Sequence, residues 1–338
     1  MNSPMSAIMR DLKDPNALPD ETREVNVVQT HISVVFVADH YVYKIKKPVD
    51  FGFLDFSSLQ KRAYYCEREL ELNRRLSHGV YLEVLPVRIE GNRYTLKAGS
   101  HDVAEYALRM KRIPEERLMK GVFARGEITR DDLERVARVL ASFHLNATRS
   151  DEIDQFGRPE RFKFNTDENF DQVAPYVGIT ISQEQYDRVK TWTECFYSTQ
   201  DGRFLDRIAQ GKIRDCHGDL HMEHICLTED LPIIDCIEFN DRFRYGDTVS
   251  DIAFLLMDLE YRGGKDMAAN LWKAYKAVSR ENDVEHLLTF YKVYRAFVRG
   301  KVNSFQLDDP AIGKAQKGSL METARRYFAL ACSYIDKH

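Results

Sequence analysis

The stretch IRDCHGDLHMEHICLTEDLPIIDCIEFND, residues 213–241, concentrates the chemistry of this chain. It sets acids and imidazoles on both sides of two short apolar runs, residues 225–227 and 232–234, which read as a pair of short strands. Asp219 lies on the loop before the first run and Asp235 at the end of the second. A hairpin of this kind brings the two carboxylates towards one another, and paired carboxylates suit either a base plus a metal ligand or a metal pair. His217, His221 and His224 add further donors.

Upstream, residues 25–28, 32–37 and 41–45 are strand-like, with Ala38-Asp39-His40 as a hairpin turn between the last two. After Pro48 the segment SSLQKRAYYCERELELNRRLS puts Leu59, Ala63, Cys66 and Leu70 on one helical face, behind Ser57 or Ser58 as N-cap. Residues 81–89 and 94–97, then 103–110, read as further strands. KRIPEER then breaks the pattern and marks the boundary between a small first lobe and a larger second one. Thr129 with Asp132 makes a capping-box-like start to a helix carrying Leu133, Val136, Leu140 and Phe143. Residues 147–212 hold polar loops and a helix from about 183 to 197. From residue 249 the pattern is helical, with Phe290, Tyr294 and Phe297 as core.

Of the 338 residues 43% are hydrophobic and 30% charged, a globular composition, and 49 Lys+Arg against 53 Asp+Glu leave a formal charge of −4. That balance gives no general field for nucleic acid, despite basic clusters at Lys44, Lys46 and Lys47 and at Arg109, Lys111 and Arg112. The longest apolar runs fall far short of the ~20 residues of a membrane helix, so no membrane association is expected. The first 25 residues lack the apolar core of an export signal, which predicts a cytoplasmic protein. Six cysteines without a CxxC pair read as reduced, mostly buried thiols.

HGDLHMEH, residues 217–224, resembles the catalytic loop of the aminoglycoside phosphotransferase family, whose H-G-D-x-x-x-x-N pattern parallels the HRDxxxxN loop of protein kinases. The resemblance implies that Asp219 is catalytic. IIDCIEF is similar to the family's I-D-x-E segment, which puts Asp235 where the kinase DFG aspartate binds Mg²⁺. GDTVSDIA, residues 246–253, resembles the G-D-x-x-x-D-L-A run that follows, in which Asp247 and Asp251 would brace the catalytic loop and begin a helix. YVYKIKK looks like the kinase third strand with its phosphate-binding lysine. Lys44 is the first choice, and Lys46 projects to the same face. In CERELELNRRL, Glu69 matches the acid that pairs with that lysine, with Glu67 next. Residues 109–112, Met110 and Lys111 among them, fall where the family's hinge meets adenine.

The implied fold is α+β and protein-kinase-like: an extension over 1–24, an antiparallel-sheet N-lobe with one helix over 25–112, and a mainly helical C-lobe over 113–338 with the catalytic loop at 216–241. The implied cofactors are ATP and Mg²⁺, and the partner is a small-molecule hydroxyl acceptor. Residues 30–56 look like a bacterial subgroup often fused to a P-loop domain. This sequence contains no GxxxxGK[ST], so that domain is not expected in it. Two features depart from the family. His224 stands where the metal-binding Asn belongs, and an imidazole suits Mn²⁺ or Zn²⁺ better than Mg²⁺. QTHIS, between the first two strands, has no glycine. Two other classes stay open: a pseudokinase or nucleotide-binding regulator, and a transition-metal hydrolase built on His217, Asp219, His221, His224 and Asp235.

Overall fold

Alternating β-branched and aromatic residues in residues 26–46 form three consecutive antiparallel strands, because each such strand buries one face and solvates the other. In the computed structural model, which describes residues 4–99, 102–310 and 312–336, these are β1 (Asn26–Gln29), β2 (Ser33–Val37) and β3 (Tyr41–Lys46). β4 (Tyr81–Glu90), β5 (Arg93–Thr95) and β6 (Val103–Lys111) complete a six-stranded antiparallel sheet in the order β1-β2-β3-β6-β4-β5. The turn at Ala38–His40 closes with the Ala38 N–H donating to the Tyr41 carbonyl at 2.9 Å. The helix after Pro48 is α2 (Leu59–Asn73), and Ser58 is its N-cap, its hydroxyl accepting from the Lys61 N–H.

Among the described residues the chain divides into two units, Met1–Glu127 with Glu223–Asp241, and Ile128–Met222 with Arg242–His338. The first therefore takes in residues 113–127 and 223–241 as well as the sheet. It also holds a second helix, α1 (Pro4–Leu12), inside the segment read from the sequence as an extension. Ile8 and Leu12 sit one turn apart on its inner face and pack with Val34, Phe36 and Ile45. Asp11 accepts the Tyr94 N–H at 3.0 Å, and Asp20 pairs with Arg109 at 2.5 Å. Short amphipathic helices flanked by prolines carry little periodic signal, which is why α1 escaped the sequence reading. A short α3 (Met119–Ala124) ends this part of the unit. The two apolar runs at 225–227 and 232–234 meet through a single antiparallel bridge, Ile225 to Ile233, rather than a ladder.

The second unit contains α4 (Arg130–Asn146), α5 (Asp151–Asp154), α6 (Pro159–Val173) and α7 (Gln183–Ala209), which is broken by non-helical φ/ψ at Gln200. A two-stranded sheet follows, β7 (Ile213–Asp215) with β8 (Tyr245–Asp247), the turn α8 (Asp241–Arg244) leading into the latter. Then come α9 (Thr248–Tyr261), α10 (Lys265–Ser279), α11 (Glu285–Phe305) and α12 (Lys314–Ile335). The Thr129–Asp132 capping box is present in both directions. Phe290 and Phe297 are core, Phe290 stacking on Phe196 at 4.4 Å between centroids. No helix among the described residues is long and apolar enough to cross a membrane. All six cysteines are reduced, and five of them are buried.

Candidate active site

Strand periodicity sends the side chains of Lys44 and Lys46 to one face of β3, and α2 carries Glu69 beneath them. In the first unit Lys44 Nζ donates to Glu69 Oε1 and to Asp235 Oδ1, both at 2.8 Å. Lys46 Nζ donates to the other Glu69 oxygen at 2.6 Å and also to Glu238. Burial pulls the Lys44 ammonium towards neutrality, but Asp235 and Glu69 more than reverse this and hold its pKa well above the ordinary lysine value. Burial opposes charge on Glu69 too, and the two lysines outweigh it, leaving its pKa lowered. For Glu238 burial wins over Lys46, and its pKa is raised.

Asp235 adopts φ +61°, a conformation that L-residues rarely take. The loop is pinned there from α2 and β4. The Asp235 N–H donates to Tyr81 Oη at 3.1 Å and the Cys236 N–H to Asn73 Oδ1 at 2.9 Å, while Asn73 Nδ2 donates to the Glu69 carbonyl. His224 approaches from the neighbouring segment, Nε2 lying 3.5 Å from Asp235 Oδ2, and the Ile234 N–H donates to the His224 carbonyl. The Asp235 side chain remains 45% exposed. A half-exposed carboxylate with an imidazole nitrogen beside it is a donor set that fits a divalent cation. Met110 and Lys111 close β6: Met110 pairs with Val42 and Tyr81, and the Lys111 N–H donates to the Val80 carbonyl at 2.8 Å. The Arg112 N–H is likewise engaged, by the His40 carbonyl.

In the second unit the HGD turn hangs on Asp251, in the first turn of α9. Its Oδ2 accepts the His217 N–H at 3.0 Å and its Oδ1 the Gly218 N–H at 2.8 Å, while His144 Nε2 lies 3.1 Å from Oδ2. His144 Nδ1 meets Tyr275 Oη at 2.7 Å. Gly218, at φ +88°, turns the chain where a side chain would be strained, and its carbonyl accepts from Arg295. His217 is wholly buried, and its Nδ1 accepts the Asp219 N–H at 3.3 Å, so it fixes the turn. The Asp219 carboxylate lies 3.5 Å from His221 Nε2. Asp247 caps α9, accepting the Val249 N–H, and Arg207 grips it with two nitrogens at 2.7 and 2.8 Å.

Asn73, Glu238, His144 and Arg295 escaped the sequence reading. Glu238 lay within a segment already singled out. The other three stand at positions with no local pattern and acquire their roles only through tertiary contact.

The chain matches the model of the phosphotransferase enzyme family over residues 38–286. It is 33% identical over 279 residues to the uncharacterized protein Rv2004c of Mycobacterium tuberculosis and to Mb2027c of Mycobacterium bovis, covering 82% of this chain and 54% of each relative. The chain thus spans about half the length of these curated relatives. In fold it is similar to a choline/ethanolamine kinase family protein from Mesorhizobium loti (TM-score 0.50, 14% identity, 94% of each chain). It is similar also to the amicoumacin kinase hAmiN in complex with AMP-PNP, Ca²⁺ and Ami (TM-score 0.54, 11% identity, 95% of this chain and 92% of that one).

Proposed function

The chain belongs to the phosphotransferase enzyme family, and on that basis we propose that it transfers the terminal phosphoryl group of ATP to a hydroxyl of a small molecule. The observation that carries this reading is Lys44, whose ammonium bridges Glu69 and Asp235 at 2.8 Å to each. An obligatory cation beside a half-exposed carboxylate is what a polyphosphate and its counter-ion require. In this reading residues 25–112 serve the nucleotide, Met110 and Lys111 lying at the adenine end, and the helical remainder serves the acceptor.

Phosphoryl transfer needs positioning and charge compensation more than covalent chemistry. Lys44 holds the phosphates, with Glu69 fixing its ammonium. Asp235 and His224 would hold the divalent ion, Mg²⁺ or Mn²⁺, which when bound would supply neutralisation of phosphate charge. Asp219 accepts the proton of the attacking hydroxyl, oriented by His221 on its carboxylate and by the His217 ring on its N–H. Small-molecule hydroxyls, from amino alcohols and sugars to aminoglycosides, make up the acceptor screen. With an acceptor in hand, Asp219→Asn should lower turnover by roughly 10²–10⁴-fold while ATP affinity stays within a factor of two. Full transfer by Asp219→Asn overturns the assignment.

A further inference from the structure

The site contains one cation more than a single phosphate lysine and its acid partner need. Lys44 and Lys46 reach the same Glu69 carboxylate, one oxygen each, and Lys46 goes on to Glu238, three residues beyond Asp235. Exposure separates their tasks. The Lys44 side chain is 16% exposed and meets Asp235 at 45%, whereas Lys46 is 1% exposed between Glu69 at 1% and Glu238 at 6%. Lys46 Nζ also lies 4.7 Å from the centre of the Phe56 ring, which closes its remaining side. An ammonium so enclosed does not meet a polyphosphate.

The difficulty that Lys46 removes is electrostatic. If Lys44 turns towards nucleotide phosphates, a solitary Glu69 would be left as a buried, uncompensated carboxylate, a strongly unfavourable state. A second ammonium on its other oxygen keeps the acid ionised and in place. Glu238 extends the same anchor to the loop on which Asp235 stands at φ +61°.

We propose that Lys46 and Glu238 form a positioning pair: Lys46 keeps Glu69 compensated while Lys44 engages phosphate, and Glu238 locks the Asp235 loop to β3 and α2. The inference rests on the phosphotransferase reading above. Burial pulls Lys46 towards neutrality, but Glu238 and then Glu69 reverse this and hold its pKa above the ordinary lysine value.

The test is binding of ATP and of adenosine to the full chain, each measured by calorimetry with Mg²⁺ or Mn²⁺. Lys46→Met should weaken ATP at least tenfold and leave adenosine within twofold, because only the phosphate end is disturbed. In a Lys44→Met background the same change should cost less than a further twofold, because Lys46 acts through Lys44 and Glu69. Unchanged ATP affinity, an equal loss for adenosine, or full additivity with Lys44→Met would each overturn the proposal. If circular dichroism shows Lys46→Met unfolded, Glu238→Gln carries the test, since it leaves Lys46 on Glu69. Its ATP affinity should lose the enhancement by divalent ion and match the wild type in EDTA; an intact metal enhancement overturns the pair. A wild-type chain that binds no ATP rejects the phosphotransferase reading itself, whereas a wild type that binds while its variants are unaffected rejects only the pair.

Discussion

Burial would push the Asp251 carboxyl up, yet the hydrogen bond with His144, aided by His217 and Arg295, holds it well below the usual carboxylate range. A carboxyl lowered on folding contributes stability above its unfolded value of ~3.9, and that contribution is lost as pH falls through the folded value. At neutral pH it is fully present. Asp251→Asn would set an amide nitrogen against donors, so a loss of roughly 3–5 kcal/mol in urea denaturation at pH 7 is expected. Lys301 gives the same direction of pH dependence in a higher window. Burial lowers its pKa to about 8, and it donates to the amide oxygens of Asn169 and Gln172 at 2.6 and 2.7 Å. Between about 8 and the unfolded lysine value of ~10.4 the unfolded chain binds the extra proton, so stability rises with pH across that window. In Lys301→Met this rise should vanish, as melting midpoints at pH 7.5 and 10 would show. His224 is tested by replacement with Asn, the residue of the family pattern. If His224 shares the ion with Asp235, the His224→Asn variant should gain Mg²⁺-supported turnover and lose any Mn²⁺ preference; no change in either removes it from the site.

Elements differ in how much of themselves they disclose. β2, β3 and β6 are rich in β-branched, aromatic and other apolar residues, and their bounds follow from the sequence to within a residue or two. α2 and α4 announce their starts through Ser58 and Thr129, whose side chains accept the N–H groups that a helix leaves unpaired. α1 discloses nothing of the kind. Its nine residues are held by Leu12 and Ile8 in the sheet-side core and by Asp11 on the Tyr94 N–H, all of which are tertiary facts. Leu12 is wholly buried, so Leu12→Ala should cost about 2–5 kcal/mol in urea denaturation; a value below about 0.5 kcal/mol would mean that α1 does not dock in solution. The same asymmetry holds at the site. HGD, ID and GDxxxD could be read in order along the chain. Which of the two lysines is enclosed was a matter of burial, and burial follows from packing around Phe56 and Glu238 that no local pattern encodes.

For the molecule as a whole, the family match over residues 38–286 and the two-unit organisation supply the frame of a kinase-like phosphotransferase. The candidate site residues lie between 213 and 251 and at Lys44 and Glu69. The acceptor was not legible, because residues 147–212 fold into α5, α6 and α7 with polar side chains in no recurring pattern. The central claim is that Lys44, Glu69 and Asp235 receive ATP and its metal. It is tested most directly by the shift in melting midpoint with saturating ATP, alone and with Mg²⁺ or Mn²⁺, in the wild type and in Asp235→Ala. ATP at a hundredfold over its dissociation constant contributes about 2.7 kcal/mol, a rise of several degrees. The account predicts that rise in the wild type, dependent on the divalent ion and absent from Asp235→Ala. A wild type indifferent to ATP under every metal, or an Asp235→Ala variant shifted as far as the wild type, would contradict it.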